Sequence, residues 1–154
     1  MEEQNFLSQE KHDELTKELE HLKSVSRKEI AEKLEYAKSL GDLSENTEYQ
    51  EAREAQANIE ERIASIETLL KSAVIITTHK GDIADIGSHV TIRKGETRED
   101  LTYELVGSEE ADVSQKKISN KSPLGEALFG KKKGDMFTYR TPQGEVSGTI
   151  IKVE

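Results

Sequence analysis

The sequence predicts an α+β protein: an N-terminal antiparallel α-helical coiled-coil hairpin, then a C-terminal domain of antiparallel strands with one short helix. Three observations carry this. Residues 9–40 contain neither proline nor glycine and are rich in Glu, Lys, Leu and Ala, all good helix formers. Apolar residues recur there, and again from Tyr49 to Ala73, at steps of three and four, the seam pattern of a coiled coil. Beyond Ile86 the apolar period changes to two, the mark of half-buried strands. The expected domains are residues 1–78, a hairpin with an acidic tip at 41–46, and residues 79–154, a globular unit.

Composition excludes several classes of function. Only 33% of the 154 residues are hydrophobic, so a large buried core is not expected. There is no cysteine, which removes disulfides, thiolate metal sites and a cysteine nucleophile. The start, MEEQNFLSQE, lacks the cationic and apolar regions of a signal peptide, and no stretch approaches the roughly 18 apolar residues of a membrane span. A soluble, cytoplasmic protein with no membrane partner is expected. The net charge of -9 and pI near 5.1 argue against a protein that coats nucleic acid through its general field. Residues 1–78 carry 10 Lys+Arg against 18 Asp+Glu, while 79–154 carry 12 against 13, so the acidity belongs to the first half.

On the outgoing helix Leu15, Leu19 and Leu22 share one seam and Ile30, Leu34 and Ala37 another. The step from Leu22 to Ile30 is eight rather than seven, which predicts a bend or change of winding near Ser24 to Arg27. The returning seam is Tyr49, Ala52, Gln56, Ile59, Ile63, Ile66, Leu70 and Ala73. Folding back at the tip opposes Leu15 with Ala73, Leu22 with Ile66 and Ile30 with Ile59. That common register argues for an intramolecular hairpin, and so a monomer, over a parallel dimer. About thirty residues per helix at about 1.5 Å each makes a rod roughly 45 Å long. Most charges along it are expected to be a solvated surface with i,i+4 pairs.

The turn between the helices reads Gly41-Asp42-Leu43-Ser44-Glu45-Asn46-Thr47-Glu48-Tyr49. One reading is local: Gly41 ends a helix, Asp42 is an N-cap, and Glu45 has capping-box spacing. The other is chemical. Two carboxylates one turn apart at the end of a projection can share a hard cation, but Mg²⁺ usually takes one or two carboxylates plus substrate phosphates and waters. A tip offers no cleft for a glycosidase. The pair makes most sense inserted into another molecule's active site, completing two-metal phosphodiester hydrolysis in trans.

That segment, with Glu51-Ala52-Arg53-Glu54 after it, resembles the signature of the bacterial GreA/GreB transcript cleavage factors, the GreA type in particular. The resemblance implies a transcription elongation factor that is not itself an enzyme. Its coiled coil would enter the secondary channel of bacterial RNA polymerase, where Asp42 and Glu45 help hold a Mg²⁺ shared with the polymerase. Cleavage of backtracked RNA near its 3′ end is thereby stimulated. By the same likeness Lys38 and Arg53 would contact the RNA backbone; Lys38 stands where relatives carry arginine, which weakens bidentate phosphate binding. Arg27 and Lys28, farther back, are weaker candidates. Ser44 is read as a cap, Asn46 as either an N-cap or a group orienting substrate, and Tyr49 as seam packing rather than a base-stacking platform.

In the second half Ala73 to Thr78 leads out of the coiled coil and His79 to Ile86 is a connector. Val90 and Ile92 alternate, as do Leu101, Tyr103 and Leu105, then Phe137 and Tyr139, then Val146 and Ile150. Turns are expected at KGETRED, GKKKGD and TPQGE. Ser122 before Pro123 starts a helix and Gly130 stops it. SPLGEALFGKKKGD and the closing TPQGEVSGTIIKVE resemble the C-terminal domain of the same family, whose fold is similar to FK506-binding prolyl isomerases. Isomerase activity does not follow from that likeness, since three Phe, four Tyr and no Trp hardly furnish an aromatic proline pocket. Lys131 to Lys133 miss P-loop spacing, and His12, His21, His79 and His89 show no metal-ligand spacing. The competing hypotheses are a channel-binding regulator that does not stimulate cleavage and a structural coiled-coil adaptor.

Overall fold

The structure, a computed structural model, describes residues 4–41, 44–77, 81–95 and 97–154. The chain divides into two compact units, His12–Ser72 and the combination of Met1–Lys11 with Ala73–Glu154. The division therefore falls at Ser72 rather than after residue 78, and the first eleven residues go with the globular part.

In the helical unit α1 (Gln9–His21) passes through a five-residue π-helical segment, Leu22–Ser26, into α2 (Arg27–Ser39), and α3 (Thr47–Lys71) returns. The π segment lies where the seam slips. A π turn accommodates one extra residue, so the eight-residue step from Leu22 brings Ile30 back to the buried face. Leu15, Ile30, Leu34 and Ala37 are buried on the outgoing strand of the hairpin. Ala52, Ile63, Ile66 and Leu69 are buried on α3. Near the tip Ile30, Leu34 and Ala52 form one cluster with Tyr49, Ala55 and Ile59 packed against it.

Two seam assignments are corrected. Leu69, not Leu70, is the buried residue of the last turn, and Ala73 has left the helix for a strand. With α3 ending at Lys71, the final turn needs only a three-residue step from Ile66.

Beyond the solvated surface and i,i+4 pairs expected of the rod, some of its charges pair across the hairpin. Glu18 accepts two bonds from Arg62, at 2.7 and 2.9 Å, Glu60 accepts two from Arg27, both at 2.8 Å, and Lys23 pairs with Glu67. All three cross the hairpin. Hydrogen bonding to Glu60 raises the Arg27 pKa above its ordinary value, and the same bonds hold the Glu60 carboxyl below its own.

In the other unit β1 (Asn5–Leu7) pairs in parallel with β2 (Ala73–Ile75). The chain at Gly107 passes so close to the Phe6 carbonyl that any Cβ there would collide with backbone. A five-stranded sheet follows in the order β5-β4-β3-β7-β6, from β3 (His89–Lys94), β4 (Asp100–Val106), β5 (Lys117–Ser119), β6 (Met136–Thr141) and β7 (Gly144–Val153). All pairings are antiparallel except β4 with β5, which is parallel. That exception, like β1, was not anticipated.

Apart from Val146, which is half-buried and outside the cluster, the alternating residues read from the sequence form or line the core. Val90, Ile92, Leu105, Ile118, Phe137 and Ile150 are buried with Ala84 and Leu128, while Leu101, Tyr103, Tyr139 and Val153 pack against them. Val153 shares a face with Ile150 because of a bulge: Ile92 pairs with Ile150 but Thr91 with Lys152, so Ile151 is the extra residue and the phase reverses. The short helix α4 (Pro123–Leu128) is capped by Ser122, whose hydroxyl accepts from the Gly125 N–H at 3.1 Å. Gly130 follows at φ +76°, a conformation glycine adopts without penalty. Among the described residues no helix is long and apolar enough to cross a membrane.

Candidate functional site at the hairpin tip

Helix α2 closes on Leu40, whose N–H bonds the Ala37 carbonyl at 3.2 Å. Gly41 follows at φ +133° in open space, which lets the chain reverse. Asp42 and Leu43 lie outside the described residues, so the position of Asp42 relative to Glu45 is not part of this geometry. Ser44 and Glu45 form an exposed turn.

The N-cap of α3 is Asn46, with extended backbone and a side chain that accepts from the Tyr49 N–H at 3.1 Å. This corrects the capping-box reading. Glu45 precedes the cap rather than standing at the third helical position, and Ser44 is not the N-cap either. Glu45 is thus an exposed carboxylate with no role in capping α3. The same Asn46 side chain donates to the Ala37 carbonyl at 2.6 Å, a tie to α2 that sequence reasoning missed. Its only available signal was the seam itself: a returning pattern that begins at Tyr49 needs a helix starting just ahead of it, and asparagine is a strong N-cap there.

Lys38 is exposed in the last turn of α2 and Arg53 is exposed in the second turn of α3. Arg53 donates one weak bond, at 3.4 Å, to Gln56 of its own helix. Arg27 is committed to Glu60 and is bound into the hairpin brace. Tyr49 packs against the Ile30, Leu34 and Ala52 cluster, as the seam predicted. Among the described residues no group of three or more His, Cys, Asp or Glu side chains is arranged to hold a metal ion.

Phe137 and Tyr139 stack at 6.2 Å, and the Lys94 ammonium lies 5.6 Å from the Tyr103 ring centroid and 5.5 Å from that of Tyr139. Burial lowers the Lys94 pKa, but hydrogen bonding to Tyr139 and interaction with Tyr103 outweigh it and the net shift is upward. The two half-buried tyrosine faces are therefore covered by the chain's own cation.

Comparison with known proteins separates the two halves at nearly the same place. Residues 5–75 match the N-terminal domain family of transcription elongation factors, and residues 78–154 match the family described as transcription elongation factor, GreA/GreB, C-term. The chain belongs to the GreA/GreB family. It is 45% identical over 150 residues to the transcription elongation factor GreA of Clostridioides difficile (strain 630), covering 96% of this chain and 94% of that protein. With the GreA of Streptococcus suis (strain 05ZYH33) it shares 47% identity over 148 residues, 94% of this chain and 92% of the relative. The solved structure of GreA factor homolog 1 (Gfh1) of Thermus thermophilus is 28% identical, covers 99% of each chain and has a TM-score of 0.45. As a GreA/GreB elongation factor, the protein acts on transcription, and the family's two domains correspond to its hairpin and its sheet.

Proposed function

We propose that this factor inserts its hairpin into the secondary channel of bacterial RNA polymerase and stimulates the polymerase's own cleavage of backtracked nascent RNA. Asp42 and Glu45 are the donated carboxylates, and Lys38 and Arg53 hold the RNA backbone near its displaced 3′ end. The globular domain docks outside the channel. The factor works as a monomer in the cytoplasm.

The observation that carries this reading is that Glu45 sits in an exposed turn while Asn46 caps α3. Its carboxylate is free of the local duty that would otherwise account for it. Glu45 and Asp42 suit Mg²⁺ as hard oxygen ligands, and one or two such groups are what Mg²⁺ takes from a protein when substrate phosphates and waters complete its shell. The remaining ligands come from the polymerase and the RNA. When bound, Mg²⁺ supplies charge neutralisation at the phosphate and a water of lowered pKa. The chain's own contribution is to present the carboxylates on a narrow support and to hold the RNA with cations.

The test compares wild type with the Asp42→Asn, Glu45→Gln double variant on stalled, backtracked polymerase complexes, scoring RNA release, polymerase binding and helicity. Loss of cleavage stimulation with binding and helicity intact supports the reading. Stimulation at the wild-type level refutes the carboxylate mechanism. A wild-type protein that binds but does not stimulate would instead be a non-cleaving regulator of the channel.

A further inference from the structure

We infer that Asn46 is the positioning residue of the tip, one side chain that caps both helices and thereby fixes the turn carrying Glu45. The inference rests on the function proposed above. Its support is geometric: Oδ1 accepts from the Tyr49 N–H at 3.1 Å and Nδ2 donates to the Ala37 carbonyl at 2.6 Å. The first bond satisfies one of the orphan donors at the start of α3, and the second adds a donor to a carbonyl at the end of α2 that also accepts the Leu40 N–H. Flipping the amide would set two donors face to face at Tyr49 and two acceptors at Ala37, so the hydrogen-bond network admits a single orientation.

Both anchor points are themselves immobilised. Ala37 is 2% exposed, its carbonyl also receives the Leu40 N–H, and Tyr49 packs on the Ile30 cluster. Asn46 therefore ties the start of α3 to the end of α2, with Glu45 next to the clasp. A carboxylate that must meet a metal held by another molecule gains from this, because misplacement by about 1 Å can cost on the order of a hundredfold in rate.

The clasp needs an amide. Aspartate caps a helix as well as asparagine does but has no donor for Ala37. Serine also caps, but its single, shorter hydroxyl replaces two separate atoms. Asn46→Asp and Asn46→Ser thus keep the α3 cap and lose the tie to α2, one with an added charge and one without. Residue-resolved amide exchange of the free proteins should leave Tyr49 protected in both variants and weaken protection at Leu40 by about tenfold. On backtracked polymerase complexes both should lose about tenfold or more in cleavage stimulation, require more Mg²⁺ for half-maximal effect, and keep polymerase affinity within about twofold. Unchanged exchange at Leu40 overturns the clasp in the free protein whatever the activity. Full stimulation by both variants, with Glu45→Gln inactive in the same assay, overturns the positioning role and leaves the proposed function standing. If Glu45→Gln is also fully active, the proposed function falls and the positioning role with it.

Discussion

The hairpin and the sheet are held together in different ways. The hairpin buries a single line of side chains that includes two alanines, Ala37 and Ala52, near the tip, and ties its flanks with exposed cross-helix ion pairs. The sheet unit encloses Ala84, Val90, Ile92, Leu105 and Leu128 at 0% exposure within a cluster drawn from five strands, a helix and a loop. Its stability comes from non-local packing, and changes in it should be felt as lost folding free energy. The tip has almost nothing to unpack, so changes there should be felt as lost activity.

The largest effect expected from this contrast is in the sheet. Phe137, 2% exposed, should cost about 3–5 kcal/mol on truncation to alanine, whereas Leu34 of the narrow seam should cost about 2 kcal/mol, the low end for large-to-small changes. Denaturant titrations of the full chain, followed by amide exchange in each unit, measure both. Equal costs would break the contrast. Next in size is Gly148→Ala. Its new Cβ would run into the Arg93 carbonyl and the Phe137 ring, one of them backbone of the paired strand β3. Overpacking of this kind should cost about 1–3 kcal/mol, and a neutral result would mean that β3 and β7 separate easily.

What the sequence conveyed follows the same division. Repeating patterns were legible: the slip between Leu22 and Ile30 marked the π segment, and alternation at Val90/Ile92 and Phe137/Tyr139 marked core strands. Elements defined by a distant partner were not. The parallel pairing of Asn5–Leu7 with Ala73–Ile75 joins three-residue segments too short to show a period, and the same holds for Lys117–Ser119 on β4. At the tip, cap chemistry was recognisable but its owner was not. Asp42, Ser44 and Asn46 are all good N-caps, and only the start of α3 at Thr47 decides among them. The cross-hairpin ion pairs were hidden because a charge pattern along one helix does not reveal which charges of the other helix face it.

The tip supplies the sharpest test of the contrast. Glu45→Gln removes a charge from an exposed turn and should change stability by no more than about 0.5 kcal/mol, while abolishing cleavage stimulation. A destabilisation as large as that of Leu34→Ala would show that Glu45 has a structural duty after all.

The smallest effect belongs to the Arg27–Glu60 brace, where both side chains are about half exposed and salt screens the pair. Hydrogen bonding to Arg27 depresses the folded-state pKa of Glu60 below its ordinary 4.5. The contribution is therefore present above that value and is lost as pH falls from it through the folded pKa, where the carboxylate protonates. Arg27 shifts upward through the same hydrogen bond and keeps its charge throughout the acid and neutral range, so the pair is switched by Glu60 alone. Replacing Glu60 by glutamine should lower the Tm slightly at pH 7, the difference should narrow as pH falls below 4.5, and high salt should shrink it at pH 7. Since both proteins carry every other carboxylate, subtracting their melting curves isolates this one. A Tm difference that is the same at pH 7 and pH 3 would mean that Glu60 contributes through packing along the shaft rather than through its charge.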